Sequence, residues 1–182
     1  FLKIGMGYRV IGGTKFYERA EIKDSVAFLR IINQKNDDLA FERIINTPKR
    51  SIGDTTLKQL HAYGRENKKS LEDSSYMLLQ LNKIKPKTRL ELLKILNLFN
   101  KWRSDLKIKK HYELMEIVLD ESGYSKMLKD KKDLESEGRL ENLKELVRGM
   151  NDFDNLQGFL EHVALATSID QDWDGEKINL MT

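Results

Sequence analysis

Apolar residues recur every three to four positions from Ile22 to Leu165, in one stretch after another, and only two prolines, Pro48 and Pro86, stand anywhere in the chain. At that period an α-helix turns a stripe of side chains to one side, whereas half-buried strands would alternate with a period of two. The stripe through Ile22, Val26, Leu29 and Ile32 predicts a helix with one apolar face. Asn36-Asp37-Asp38 offers N-cap oxygens to a short helix whose inward face is Leu39, Phe41, Ile44 and Ile45, and Asp54 caps the helix after it. Ser70 with Asp73 forms a variant capping box ahead of Leu71, Leu78 and Leu81. Pro86 suits the first turn of a long helix through Leu90, Leu93, Leu96, Phe99 and Trp102. Ser122-Gly123 and Gly138 read as breaks, and a last helix buries Leu156, Phe159, Leu160, Val163 and Leu165. Tyr8 to Ile11, ending at Gly12-Gly13, and Ile178 to Thr182 have strand-favouring residues. The expected fold is mainly α, a helical bundle of about eight helices with a short terminal β-strand pair.

Composition narrows the function. A chain of 182 residues with 40% hydrophobic and 34% charged residues is long enough for one domain with a substantial core. With no cysteine, disulfides, thiolate catalysis and cysteine zinc sites are excluded. No apolar run approaches the roughly 18 residues of a membrane helix, and the opening FLKIGMGYR lacks secretory architecture, so the default location is cytoplasmic. The net charge of +3 conceals an uneven distribution. Residues 83–110 hold ten basic groups against Glu91 and Asp105, while residues 150–182 hold seven acidic groups against Lys177.

Most candidate chemistry dissolves on inspection. Gly5-Met6-Gly7 lacks the third glycine of a dinucleotide loop, since Val10 stands there, and no GxxxxGK[ST] loop occurs. Asp170, Asp172, Asp174 and Gly175 match the first half of a calcium loop, but Met181 stands where the closing Glu belongs, so a solvated acidic loop is the default. His61, His111 and His162 share no ligand spacing. The chain therefore reads as non-catalytic, without a metal or cofactor site of its own.

One stretch survives, NTPKRSIGDTTLKQL at residues 46–60. A tight Ser-Ile-Gly link runs into a helix that opens with Asp54-Thr55-Thr56. A helix N-terminus carries about half a positive charge and free N–H groups, which suit phosphate and read no bases. Ile52 would hold the turn from beneath, Gly53 would let backbone approach a ligand, and Lys49 and Arg50 would add cations. This is the logic of a helix-hairpin-helix grip on duplex DNA. The plainer alternative is an ordinary connector between helices.

The pattern GG-x-x-F-x-ER-x-EIKD at residues 12–24, followed by NTP-x-R-x-IG at 46–53, resembles the UvrD/PcrA/Rep-type superfamily 1A DNA helicases, in the segment after helicase motif IV. The likeness resumes in DESGYSKML, GRLENLKELV and FLEHVAL, and INLMT resembles the opening of motif V. The resemblance implies a fragment of a longer protein: residues 1–20 a flanking piece of motor subdomain 2A, 21–170 the helical subdomain 2B, and 171–182 a return strand into 2A. It implies an ATP-dependent 3′–5′ DNA helicase acting in repair or replication, with ATP and Mg bound in the parent protein and not in this fragment. Subdomain 2B would contact duplex DNA at a fork or junction through Thr47, Lys49, Arg50, Ser51, Ile52, Gly53 and Thr55. Other partners would be the remaining helicase subdomains and DNA-repair proteins. Ser51 departs from the family's usual Gly-Ile-Gly, which matters if that position needs positive φ. Gly12, Gly13, Phe16, Glu18, Arg19, Glu21 and Lys23 would be mainly structural, and hinges are expected near residues 18–34 and 168–177. The alternative function is a protein-interaction or autoinhibitory module without direct DNA contact.

Overall fold

Nearly every side of the helix Ala20–Asn33 is buried, which makes it the axis of the molecule. A computed structural model describes residues 13–168. In chain order the helices are α1 (Gly13–Glu18), α2 (Ala20–Asn33), α3 (Asp38–Ile44), α4 (Asp54–Asn67) and α5 (Leu71–Gln80). They continue as α6 (Pro86–Asp105), α7 (His111–Glu121), α8 (Tyr124–Lys131), α9 (Leu134–Met150) and α10 (Leu156–Ser168). The described residues thus contain ten helices rather than about eight, and no strand. Both expected terminal strands lie outside the described residues, as do the Gly5–Gly7 segment and the acidic loop at 170–176.

The single apolar face expected for α2 is too narrow. Ile22, Ser25, Val26, Ala27, Phe28, Leu29, Ile31 and Ile32 are all buried, because α2 packs against α3, α6, α7, α9 and α10. Its N-terminal end is tied to α9 by polar bonds: Asn142 donates to Glu21 (2.7 Å) and accepts from Arg19 (2.7 Å). Arg19 itself is extended, which separates α1 from α2.

Aromatic rings carry the core from α2 to α3 and α6. Phe28 meets Trp102 edge-on at 6.0 Å, Trp102 lies 5.9 Å from Phe99, and Phe99 is 6.3 Å from Phe41. The Trp102 indole N–H donates to Glu121 at 2.8 Å, so the core tryptophan has its polar partner.

Two expected caps are present: the Asp37 side chain accepts from the Ala40 amide and the Ser70 side chain from the Asp73 amide. The N-cap of α4, however, is Gly53, which provides no side-chain cap, and Asp54 is the first helical residue. Gly138 does not break a helix; it lies inside α9, which starts earlier because Asp133 caps it at Ser136. Leu39, Leu90 and Leu165, each on a helix covered on only one side, are exposed rather than inward, and so is Leu81, which caps the C-terminus of α5.

Candidate nucleic-acid interface

The turn between α3 and α4 is held from below by apolar packing. Phe41, Ile44 and Ile45 seat the end of α3 in the core, and Ile52 is 0% exposed beneath the turn. Asn46 does the polar work: its side-chain oxygen accepts from the Arg50 amide (2.7 Å) and the Ile52 amide (3.3 Å). An Asn that closes a turn onto amides downstream is a local substitute for secondary structure. The Thr47–Pro48 peptide within the turn is cis.

From residue 49 to 53 the chain alternates outward and inward. Lys49, Ser51 and Gly53 are exposed, while Ile52 is buried and Arg50 is half-buried. Thr55 is exposed in the first turn of α4. Thr47 is half-buried and engaged internally, its hydroxyl donating to the Arg43 carbonyl at 3.1 Å.

Arg50 points into the protein. It donates to the carbonyls of Ile44 (3.1 Å), Pro48 (3.0 Å) and Ile45 (3.4 Å), and across to Ser122 at the α7–α8 corner (2.8 Å). Burial pushes its guanidinium down to about 10, with Glu91 acting in the opposite direction, so it remains charged at neutral pH. Four carbonyl partners make Arg50 a clamp on the turn, with both terminal nitrogens engaged inside the protein. Lys49 has no carboxylate within ion-pair distance among the described residues.

Ser51 adopts φ 61°, the left-handed region in which a Cβ costs on the order of 1 kcal/mol and glycine costs nothing. Its carbonyl accepts from the Thr88 hydroxyl at 3.0 Å, which ties the turn to the start of α6. Gly53 is extended, at φ −97° and ψ −175°, and a Cβ there would meet nothing within 4 Å. Its own fold therefore does not demand glycine, although backbone at this position is open to approach from outside. Farther along, α4 buries only Leu60 and Gly64. At Gly64 a Cβ would stand 2.8 Å from the Lys69 carbonyl, and that close approach locks α4 to the start of α5.

Asn46, Thr88 and Ser122 support the turn but were not expected to. The Asn-Thr-Pro context carries a local signal for the first. Thr88 and Ser122 act across sequence separations of 37 and 72, where no local signal exists.

Among the described residues no group of three or more His, Cys, Asp or Glu is placed to hold a metal ion. No described helix is long and apolar enough to cross a membrane. The three histidines have separate employments: His111 is buried with its ring Nε2 2.8 Å from the Met150 carbonyl, His61 meets Glu42, and His162 packs 5.1 Å from Phe153 and 5.8 Å from Tyr17.

These features define a helical module wound around a buried α2, with a clamped and partly exposed turn at α3–α4. Comparison with known proteins places that module. The UvrD-like helicase C-terminal domain profile matches residues 1–182, and the chain belongs to that family. It is 37% identical over 165 residues to a probable DNA helicase II homolog of Rickettsia felis, covering 91% of this chain and 25% of that protein. It is 38% identical over 173 residues to DNA helicase II of Haemophilus influenzae, covering 90% and 24%. Over 192 residues it is 34% identical to the ATP-dependent DNA helicase PcrA of Staphylococcus aureus, covering 100% and 26%. The chain spans about a quarter of the length of the curated relatives it matches.

Proposed function

We propose that this chain is the duplex-contacting, regulatory part of an ATP-dependent 3′–5′ DNA helicase, with residues 21–170 forming subdomain 2B. The observation that carries the reading is the division of labour in the α3–α4 turn. Ile52, Asn46 and Arg50 fix it from inside, and Lys49, Ser51, Gly53 and Thr55 stand on its outer side. Relatives bearing the names DNA helicase II and ATP-dependent DNA helicase PcrA support the setting.

In this role the uncapped start of α4 and the Lys49 ammonium hold the sugar-phosphate backbone, and base edges are not read. Ser51 and Gly53 contribute backbone, Thr55 its hydroxyl and amide, and Ile52 and Arg50 the rigidity. Asp54, exposed in the same first turn, opposes phosphate. ATP and Mg, with the motor chemistry they support, belong to other parts of the parent protein. The segments 1–20 and 171–182 are its connections to subdomain 2A.

The test is a salt titration of duplex binding. Removing a cation that neutralises one phosphate flattens the slope of log affinity against log salt by about 0.9. Lys49→Ala is expected to flatten it by that amount, and Asp54→Asn to strengthen binding. An unchanged slope for Lys49→Ala removes the turn as a contact.

A protein-docking reading has one observation in its favour, an open groove of about 760 Å³ between α2, α3 and α10. Leu39, 76% exposed, stands at its edge. That reading predicts groove substitutions that abolish partner binding and leave duplex affinity intact.

A further inference from the structure

We propose that the first turn of α6 belongs to the same DNA-contacting surface, with Lys85 and Lys87 each taking a backbone phosphate of the duplex gripped by the α3–α4 turn. This rests on the reading of that turn as a duplex contact and extends it to an element 37 residues away in sequence from Ser51.

The juxtaposition comes from one bond. Thr88, buried in the first turn of α6, donates its hydroxyl to the Ser51 carbonyl at 3.0 Å. Lys85, the N-cap residue, and Lys87 precede Thr88 by three residues and by one, so both lie within about one helical turn, roughly 5.4 Å of rise, of the point where α6 touches the α3–α4 turn. Pro86 between them occupies the first helical position, where its fixed φ presets the direction in which α6 begins. Both lysines are exposed.

Their lack of partners separates them from the other basic groups of α6, of which Arg89 has no carboxylate among the described residues either but donates to the Leu79 carbonyl and to Asn82. Lys94 is paired with Glu91 at 2.7 Å, Lys101 with Glu121 and Asp105, and Arg103 with Glu72. Lys85 and Lys87 have no carboxylate within ion-pair distance among the described residues. Glu91, one turn farther on, is held by Lys94, and the exposed Asp54 in the first turn of α4 is a further carboxylate that opposes phosphate here.

Charge accounting favours the same surface. Arg50 is turned inward onto four carbonyls, so the turn alone presents a single cation, Lys49. Duplex DNA carries one phosphate per about 1.7 Å of axis, a density that cations grouped within one helical turn can match and a lone lysine cannot. Lysine ammonium groups act there as point charges that confer no base preference, as expected of a contact that must slide past any sequence.

The test uses the full chain and a labelled mixed-sequence duplex with a single-stranded tail, titrated over a series of potassium chloride concentrations. Lys85→Ala with Lys87→Ala is expected to flatten the slope of log affinity against log salt by about 1.8, while Lys→Arg at both positions keeps it. Exposure of both side chains predicts an unchanged circular dichroism spectrum and melting temperature. If Lys49→Ala flattens the slope and the α6 pair does not, this proposal is overturned and the turn reading stands. If neither does, both fail. An equal flattening on replacing Lys129 and Lys131 with Ala, at the far end of α8, would also overturn it by reducing the effect to general charge.

Discussion

Lys49 and Arg50 are neighbours turned opposite ways, one exposed and one onto carbonyl oxygens, and the difference should be measurable. Arg50 donates to four carbonyl oxygens, of which those of Ile45, Pro48 and Ser122 lose their donor if it is truncated while Ile44 keeps the Thr47 amide. A hydrogen bond to a charged group contributes about 1.5–3 kcal/mol, and a buried acceptor left alone costs a similar amount. Arg50→Ala is therefore expected to lower stability by about 3 kcal/mol in a urea titration, whereas Lys49→Ala should change it by less than about 0.5 kcal/mol. Equal effects would contradict the inward assignment. The sequence could not separate the two, because a guanidinium is as well matched to carbonyl oxygens as to phosphate oxygens, and only the tertiary neighbour Ser122 decides. Ser51 was more legible: the concern about positive φ at that position is met by its φ of 61°.

At the scale of helices, one ion pair ties three of them. The Arg103 guanidinium on α6 donates to both oxygens of Glu72 on α5, at 2.8 and 2.6 Å, and to the Ile31 carbonyl on α2 at 2.8 Å. Glu72 is 0% exposed, and this guanidinium bonds both of its carboxylate oxygens. Arg103→Ala is expected to cost about 3–5 kcal/mol in chemical denaturation, and removing both charges with Glu72→Leu and Arg103→Leu should cost less than the sum of the single changes. Strict additivity would show that the pair is not coupled. None of this network could be read from spacing, since the two residues are 31 apart. The helices themselves were legible, because a 3.6-residue period and cap residues are local properties. What period cannot give is how many sides of a helix are covered. For that reason α2 turned out buried nearly all round, and Leu39, Leu90 and Leu165 turned outward. Gly138 misled for a related reason: in a surface helix the absence of a side chain costs about 1 kcal/mol, which neighbouring turns of α9 can absorb.

On the scale of the whole molecule, α1 packs against α10, so the described body starts and finishes on one side. The α3–α4 turn, the start of α6 and the α7–α8 corner meet through the Ser51–Thr88 and Arg50–Ser122 bonds. Adjacent ends and a proposed contact surface at such a meeting point are what the proposed role, a subdomain presenting duplex to a motor, calls for. The turn itself was legible in the Asn-Thr-Pro and Ser-Ile-Gly residues, but the placing of the start of α6 beside it was not, because it depends on a long-range bond. The most direct measurement is a ¹⁵N-labelled amide titration of the chain with tailed duplex DNA. The account predicts that the amides of Ser51, Gly53, Asp54 and Thr55, with those of Lys85 and Lys87, shift first and saturate together, while the groove between α2, α3 and α10 stays silent. Shifts confined to that groove, with the turn unmoved at saturating DNA, would contradict it.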